Sequence, residues 1–245
     1  MPDQSPNSSN HAVVVSVVIP VRNDADALSV LLASLTALAP DDWEVLVVDG
    51  GSTDASAAVA RSFRVCCLTC EPGRGAQQDA GVQRSAGELV WFLHADSVVT
   101  VGVIHALSQA HRQAGVNAGD MWGRFDVQLQ APRARLQLAL SLVGTLMNVR
   151  SRLTGICTGD QGIFVGRRLL GRVGGMPRQR LMEDIELSKR LKSHTAPTCL
   201  RTRLGTSGRR WEVHGVFRTI VFMWWMRLRY FCGARPEDLA QRYYG

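Results

Sequence analysis

The first hundred residues alternate between short β-branched apolar runs and segments with helical spacing, and this alternation limits the fold more than any other feature. The apolar runs predict four buried strands, at residues 13–20, 43–49, 64–70 and 89–93. Helical patterns separate them, at about 24–38, 52–61 and 76–85. Strands that alternate with helices form parallel sheets through right-handed crossovers. We therefore predict an α/β fold with a mostly parallel, twisted sheet and helices on both faces.

The rest of the chain has a less regular pattern. It predicts helices at 133–152, 183–191, 218–231 and 236–242, and short strands at 162–166 and 198–204. Because no linker composition interrupts residues 13–215, we predict one domain there. A flexible tail is expected at 1–12, and a helical extension at 216–245 is expected to pack on the domain or on a membrane surface.

Charge is distributed unevenly along a chain of net charge +7. Residues 1–100 carry 5 basic and 12 acidic side chains, whereas residues 101–245 carry 23 basic and 9 acidic ones. This asymmetry predicts an anionic partner for the second half. Only 2 of the 28 basic residues are Lys, which suits phosphate or carboxylate recognition but is also typical of a GC-rich genome. No nucleic-acid recognition motif is present, so we expect no nucleic-acid partner.

The cysteines and the N-terminus indicate the compartment. Cys67 and Cys70 form one C-x-x-C pair, and no second pair lies at zinc spacing, so reduced thiols in a cytosolic protein are favoured over a zinc site. Residues 1–12 are polar and lack the apolar core of a signal peptide. The apolar stretches are too short to span a bilayer. We expect a cytoplasmic protein whose aromatic, basic helix at 217–231 is either a core helix or a contact with the inner face of the cell membrane.

Polar side chains follow the ends of the predicted strands. Because the carboxyl ends of parallel strands share one edge of the sheet, these side chains predict a ligand site there. Helix capping accounts for Asp24 and Asp54. It does not account for Asp49 and Asp96, which end apolar strands directly or nearly so.

The sequence lacks a G-x-G-x-x-G fingerprint after the first strand and lacks a P-loop lysine motif, which argues against a dinucleotide oxidoreductase. Five other motifs occur in order: VSVVIPVRND (15–24), EVLVVDGGSTD (44–54), GRGAQQDAG (73–81), ELVWFLHADS (88–97) and MEDIEL (182–187). Together they resemble the family 2 glycosyltransferases of the GT-A fold, the nucleotide-diphospho-sugar transferase fold. GDQGIFV (159–165) and TSGRRWE (206–212) resemble a small bacterial subgroup called family 2-like.

The resemblance implies a nucleotide-sugar donor, with a UDP-sugar favoured over other nucleotide sugars. It also implies Mn²⁺ or Mg²⁺ and an inverting transfer. The family's acid-x-acid motif reads His94-Ala95-Asp96 here. It implies Asp96 as a metal ligand, with His94 as a nitrogen ligand or a hydrogen-bonding group. A metal at this position stabilises the leaving diphosphate. Glu183-Asp184 matches the family's acidic pair, which implies Asp184 as the general base.

The resemblance also implies binding roles for further residues. The nucleotide-binding set is Pro20, Asp24, Asp49, Gly50, Arg74 and Ala95. The set on the acceptor and diphosphate side is Asp160, Gln161, Glu183, Arg210 and Trp211. His214 is a candidate to complete the metal shell, although a lone histidine is more often structural. Arg74 is also compatible with a solvated turn, and the acidic pair with an ordinary helix start.

The acceptor is not named by the sequence. Some members of the family that the chain resembles transfer sugars to carotenoid acids or other lipids. A lipophilic acceptor is therefore a candidate, and it fits the aromatic C-terminal helix. Two alternatives stay open: a nucleotidyltransferase, which ordinarily needs a glycine-rich loop after the first strand, and a non-catalytic nucleotide- or membrane-binding module.

Overall fold

The structure is a computed structural model that describes residues 13–131 and 134–244, with only the backbone described at Ala134, Arg210, His214 and Tyr244. The strands of this part of the chain are β1 (Val15–Val21), β2 (Trp43–Asp49), β3 (Cys66–Thr69), β4 (Leu89–Phe92), β5 (Ser97–Val98), β6 (Trp122–Gln130), β7 (Phe164–Gly166) and β8 (Thr198–Ser207). The predicted tail at 1–12 lies outside the described residues.

The helices of the described residues are α1 (Ala25–Leu38), α2 (Ser56–Ser62), α3 (Arg74–Arg84), α4 (Val101–Ala114), α5 (Ala134–Thr154), α6 (Arg167–Arg172), α7 (Glu183–Lys192), α8 (Arg209–His214), α9 (Val216–Phe231) and α10 (Pro236–Tyr244). Two short 3₁₀ helices span Gly115–Asp120 and Gly159–Gln161.

The strands form one mixed sheet in the order β3-β2-β1-β4-β7-β6-β8-β5. The half made from the first hundred residues is parallel, because β1 pairs in parallel with β2 and β4, and β2 with β3. Beyond β4 the sheet turns mixed: β7 is antiparallel to both β4 and β6, whereas β6 and β8 are parallel. The predicted α/β class is therefore confirmed.

The continuous apolar run of β1 is buried on both faces of the sheet. Val15, Val17 and Ile19 pack into one core with α1, α2 and α4, whereas Val18 packs into a second core with α3, α6 and α7. Alternate side chains of a strand point to opposite faces, so a strand covered on both sides needs apolar residues at nearly every position. The helices lie on both faces of the sheet, as predicted.

Residues 101–130 were not assigned by the sequence analysis, yet they form α4 and β6. The signal in β6 was present: Phe125, Val127 and Leu129 alternate with polar residues and are buried. It lay outside the clear strand–helix alternation. Its first apolar residue, Phe125, is flanked by Arg124 and Asp126, whose side chains form an ion pair.

The C-terminal helices pack against the segment that leads into α7. Leu181, Met182 and Ile185 form one buried cluster with Met226 of α9 and Leu239 of α10. This packing brings the end of the chain to the carboxyl edge of the sheet. Across the described ranges, no helix is both long and apolar enough to cross a membrane.

Candidate active site

Two adjoining cavities lie at the carboxyl ends of β1 and β4. After the roles predicted for their lining residues, we call the first, of about 340 Å³, the donor-side cavity and the second, of about 260 Å³, the acceptor-side cavity. Arg74, His94, Asp96 and Tyr243 line both of them. Asp96, which the sequence predicts to bind the metal, therefore lies in the wall between the two cavities.

The carboxylate of Asp96 lacks a partner among the described residues. Its carboxylate faces both cavities and makes no hydrogen bond or ion pair with any residue that the structure describes. Burial raises the pKa of Asp96, the charge of His94 lowers it in part, and the nearby carboxylates of Asp160 and Asp24 raise it further. A cation placed here would relieve this negative charge.

His94 is held by Asp160 instead of facing Asp96 as a partner. Its Nδ1 lies 3.2 Å from Oδ1 of Asp160, and its Nε2 is buried without a hydrogen-bond partner. Burial lowers the pKa of His94, but the hydrogen bond and the charge of Asp160 more than offset this, so the pKa is raised. In the described chain no group of three or more His, Cys, Asp or Glu side chains is arranged to hold a metal. The role of His94 as a metal ligand stays a prediction.

The residues present nevertheless fit Mg²⁺ or Mn²⁺ in one specific mode. Mg²⁺ in phosphate-transferring sites is commonly held by one or two carboxylates, by substrate phosphates and by water. An unpaired carboxylate beside an open cavity, as Asp96 is, supplies the protein's part of that shell. A site made of protein ligands alone, as for structural zinc, is not what this arrangement provides.

The 3₁₀ turn Gly159–Gln161 organises the acceptor side. Thr158 and Gln161 form a capping box across it. The Gln161 Nε2 atom donates to Ser151 Oγ at 3.0 Å, which ties the turn to α5. We expected Gln161 on the acceptor side, but it is fully buried and lines neither cavity. It is a positioning residue, because its amide uses its hydrogen bonds inside the protein.

Gly159 lies between the side chains of His94 and Asp184. Its N–H donates to Oδ2 of Asp184 at 2.9 Å, while a Cβ at this position would overlap Nε2 of His94. The other carboxylate oxygen, Oδ1 of Asp184, accepts the Ile185 N–H at 2.8 Å. Two amides therefore fix the orientation of Asp184, whose side chain lines the acceptor-side cavity. Each carboxylate oxygen accepts one of these amides and can accept a further hydrogen bond.

The backbone just before Asp184 is strained. Met182 has φ +64° and ψ +19°, in the left-handed region that non-glycine residues rarely adopt. Such strain commonly occurs where a site demands a fixed side-chain direction. Here it turns the chain so that α7 begins with the acidic pair.

Glu183 was expected on the acceptor and diphosphate side, a role that stays a prediction. It is buried, lines neither cavity, and forms an ion pair with Arg74 in which Nε and Oε1 are 3.3 Å apart. Burial raises the pKa of Glu183, while the charge of Arg74 lowers it in part. Glu183 thereby holds Arg74 in the wall of both cavities, which favours a site role for Arg74 over a solvated turn.

A methyl group at Gly159 should damage the site without unfolding the protein. Gly159→Ala would push the His94 ring away from Asp160 and disturb the amide bond to Asp184, so we expect a loss of about 10²-fold in kcat/KM. Gly171→Ala, on the exposed end of α6 where a Cβ meets nothing within 4 Å, is the matched control. Equal activity of the two variants would show that Gly159 does not position these groups.

The donor-side cavity contains most of the predicted nucleotide-binding residues. Pro20, Asp24, Arg74 and Ala95 line it. Asp24 does not cap α1 with its side chain; its carboxylate instead binds Arg209 through two contacts of 2.8 and 2.9 Å. This ion pair links the start of α8 to the end of β1.

Asp49 and Gly50 do not line the donor-side cavity. The Asp49 Oδ1 atom accepts the backbone N–H of Ser52 at 2.9 Å and its hydroxyl at 2.6 Å. Gly50 faces Gln77. The Ser52 turn thus uses one oxygen of the Asp49 carboxylate, and the contact of these two residues with the nucleotide stays a prediction.

Several cavity residues were missed by sequence reasoning. Gln77 bridges β1 and β2 by donating to the Val21 carbonyl at 2.9 Å and the Val48 carbonyl at 2.7 Å. Arg22, Pro72, Arg180 and Tyr243 also line the donor-side cavity, although the sequence motifs indicated no role for them. No periodic signal marks them, because loops and a distant helix bring them together.

The acceptor-side cavity includes Asp160 and Trp211, as expected. The side chains of Arg210 and His214 lie outside the described residues. Thr219, Met223 and Arg227 of α9 also line this cavity. A four-residue spacing puts these three side chains on one face of the helix. Thr219 and Arg227, eight residues apart on one face of this helix, were the available signal.

The sequence profile described as Glycosyl transferase family 2 matches residues 16–170. The chain belongs to glycosyl transferase family 2. The match covers β1 to α6, and hence the strand ends that carry Asp24, Asp49 and Asp96.

Two relatives illustrate the similarity. Glycosyltransferase AglE of Haloferax volcanii is 34% identical over 91 residues, which are 34% of this chain and 30% of that protein. A PGL/p-HBAD biosynthesis glycosyltransferase of Mycobacterium bovis is 27% identical over 197 residues, which are 76% of this chain and 72% of that protein. The chain thus spans less than a third of the archaeal relative.

A solved structure shares the fold of this family 2 chain. It is a mannosyltransferase from Pyrobaculum calidifontis in complex with GDP-Man and Mn²⁺, with a TM-score of 0.56 and 20% sequence identity. The similarity covers 78% of this chain and 56% of the mannosyltransferase. The fold is therefore the GT-A fold of glycosyltransferases, as the motifs predicted.

Proposed function

We propose that this protein is a metal-dependent, inverting glycosyltransferase that moves a sugar from a nucleotide-sugar donor to a lipophilic acceptor. One observation carries the proposal: the unpaired carboxylate of Asp96 lies between two cavities, and the oriented carboxylate of Asp184 lines only the second. A donor bound on one side and an acceptor on the other would meet at this wall. Membership of family 2 favours this reading over a nucleotidyltransferase or a non-catalytic module.

Asp96, together with the diphosphate of the donor, would hold the divalent cation. When bound, such a cation acts as a Lewis acid that stabilises the charge developing on the leaving diphosphate. The relative in complex with GDP-Man and Mn²⁺ supports this assignment. Arg74, fixed by Glu183 in the wall of both cavities, adds a positive charge beside the same position.

Asp184 would accept the proton of the acceptor as the acceptor attacks the anomeric carbon. Its orientation is set by the amides of Gly159 and Ile185, so the carboxylate need not reorganise during the reaction. A direct displacement by the acceptor, with one base and no covalent intermediate, inverts the anomeric centre. Asp184 is the residue that performs this step, because Glu183 is buried and paired.

The outer surface supports a lipophilic acceptor and contact with an anionic membrane. α9 exposes an apolar stripe that includes Phe217 and Trp224, which are 78% and 71% exposed. The full stripes are Phe217, Val221, Trp224, Leu228 and Phe231 on α9 and Leu138, Leu142, Leu146, Val149 and Leu153 on α5. The two helices share a buried cluster, and together they contain six Arg and no acidic residue. Apolar stripes flanked by arginine are typical of helices at the surface of anionic bilayers.

Sedimentation with lipid vesicles measures membrane contact directly. The protein should sediment with vesicles that contain phosphatidylglycerol, should bind pure phosphatidylcholine vesicles less, and should dissociate as salt rises. The double variant Phe217→Gln, Trp224→Gln should lose most of this binding. Val116→Gln, at an equally exposed position distant from α9, is the control. Equal sedimentation of the double variant and the control would contradict the membrane contact.

The proposed activity is tested first by thermal stabilisation. A panel of nucleotide sugars, each with and without Mn²⁺ or Mg²⁺, should contain one donor that stabilises the protein only with the metal. At 100 times its dissociation constant such a ligand adds about 2.7 kcal/mol, or roughly 5–10 °C for a chain of this size. We expect a UDP-sugar to give this shift. A folded protein that responds to no member of the panel would contradict donor binding.

A further inference from the structure

Arg227 places a positive charge in the acceptor-side cavity. It lines this cavity from α9, on the same helix face as Thr219 and Met223. Its guanidinium forms no hydrogen bond or ion pair with any described residue. Asp184 and Asp160 are close enough to act on its charge but lie beyond ion-pair distance.

A second arginine increases the positive charge at this place. Arg150 of α5 has buried Nε and Nη2 atoms without hydrogen-bond partners. Burial, and to a smaller extent the charge of Arg227, lower the pKa of Arg150 to about 10. Burial likewise lowers the pKa of Arg227. Two guanidinium groups thus lie near each other, partly withdrawn from water and without compensating acids in contact.

Such an arrangement is unfavourable unless a ligand supplies the missing charge. A buried charge that lacks a partner destabilises the folded protein, and proteins keep one mainly where function needs it. The five N–H donors of arginine match the planar or tetrahedral oxygens of carboxylate and phosphate groups. The ligand expected here is therefore an oxyanion.

The donor's diphosphate is not the best candidate for this oxyanion. Arg74 and Arg180 line the donor-side cavity, whereas Arg227 lines only the acceptor-side cavity. The opposite face of α9 carries the exposed apolar stripe described above. An amphiphile could therefore place its charged group at Arg227 and its chain along the outside of the helix.

We propose that Arg227 is an acceptor-binding residue that holds an oxyanion group, a carboxylate or a phosphate, carried by a lipophilic acceptor. The charge of Arg150, which interacts with that of Arg227, reinforces the positive potential. This inference rests on the proposed glycosyltransferase function and names the chemical class of its acceptor. The same charge would offset the repulsion between an anionic acceptor and the carboxylates of Asp184 and Asp160.

The test compares three amphiphiles of equal chain length, decanoate, decyl phosphate and decanol, as monomers in the presence of UDP and Mg²⁺. Wild-type protein should bind at least one of the two anionic probes about ten-fold or more tightly than decanol. Arg227→Gln should lose that preference, and Arg227→Lys should keep part of it. The anionic probe with the larger loss identifies whether carboxylate or phosphate is the natural group.

Arg218→Gln is the matched control, because Arg218 is exposed on the same helix and removing it changes the net charge equally. It should bind the anionic probes like the wild type. Arg227→Gln should also melt at or above the wild-type temperature, because it removes an unpaired, partly buried charge.

Three results would overturn the inference. The first is equal affinity of the wild type for the anionic and neutral probes. The second is an anionic preference that survives in Arg227→Gln. The third is a loss of UDP affinity in Arg227→Gln, which would assign Arg227 to the donor. A wild-type protein that binds no nucleotide sugar in the thermal panel would instead contradict the proposed function, so the two failures are distinguishable.

Discussion

Replacing Asp184 with asparagine is expected to lower kcat by about 10²- to 10⁴-fold, the range that a general base ordinarily contributes. The amide keeps the shape of the side chain, and its oxygen keeps one of the hydrogen bonds from the amides of Gly159 and Ile185. It loses the ability to take the acceptor's proton. Donor affinity, measured by nucleotide titration, should stay within about two-fold, because Asp184 does not line the donor-side cavity.

Glu186→Gln is the control for this experiment. Glu186 lies two residues further along α7 and binds Lys189, Arg190 and Tyr230 away from both cavities. The substitution removes the same charge from the same helix and should leave kcat nearly unchanged. If Asp184→Asn kept wild-type kcat, Asp184 would not be the base, and the attacking group of the acceptor would be one that is already ionised at neutral pH.

Asp96→Asn is expected to abolish the metal-dependent stabilisation by the donor and to lower kcat/KM by about 10²- to 10⁴-fold, which corresponds to several kcal/mol of transition-state stabilisation. The reason is that Asp96 is the unpaired carboxylate facing both cavities. Measurement of the melting temperature with nucleotide sugar, with and without Mn²⁺, separates the metal-dependent part from nucleotide binding alone.

The same variant should not be less stable without ligand. The folded pKa of Asp96 is raised above its ordinary value. Above its folded pKa the charged carboxylate therefore destabilises the fold, and the destabilisation fades as the pH falls from the folded pKa toward the ordinary one. Asp96→Asn should accordingly melt at or slightly above the wild-type temperature. Asp120→Asn, at a surface carboxylate paired with Arg168 and Arg172, should keep the full metal response. A metal response in Asp96→Asn equal to that of the control would remove Asp96 from the cation site.

The sequence was sufficient to predict the strands of the parallel half of the sheet. Strands β1, β2 and β4 pack into the cores on both faces of the sheet, so their apolar runs are continuous and their limits show clearly, whereas β3 at the edge of the sheet is only half-buried. Because parallel strands end at a common edge, the positions of Asp24, Arg74, His94 and Asp96 at one place followed from topology. These four residues line the donor-side cavity in the structure.

Individual side-chain contacts did not follow from the same pattern. Asp49, Gln161 and Glu183 were each expected to contact a ligand, and each is used inside the protein. Ser52 binds Asp49, Ser151 binds Gln161, and Arg74 binds Glu183. A motif indicates which residues come near the site. It does not indicate which polar groups satisfy one another there, because that depends on hydrogen-bonding partners from distant segments.

The amino-acid pattern thus specified the α/β class, the edge of the sheet that carries the site, and the residue types near a nucleotide sugar. The acceptor side depended on the tertiary structure. Thr219, Met223 and Arg227 belong to a helix whose sequence is apolar and basic around most of its circumference. Periodicity shows that such a segment is helical, but the face turned toward the cavity is set by packing against Leu181, Met182 and Ile185. Those contacts join residues about forty positions apart, and local spacing carries no information about them.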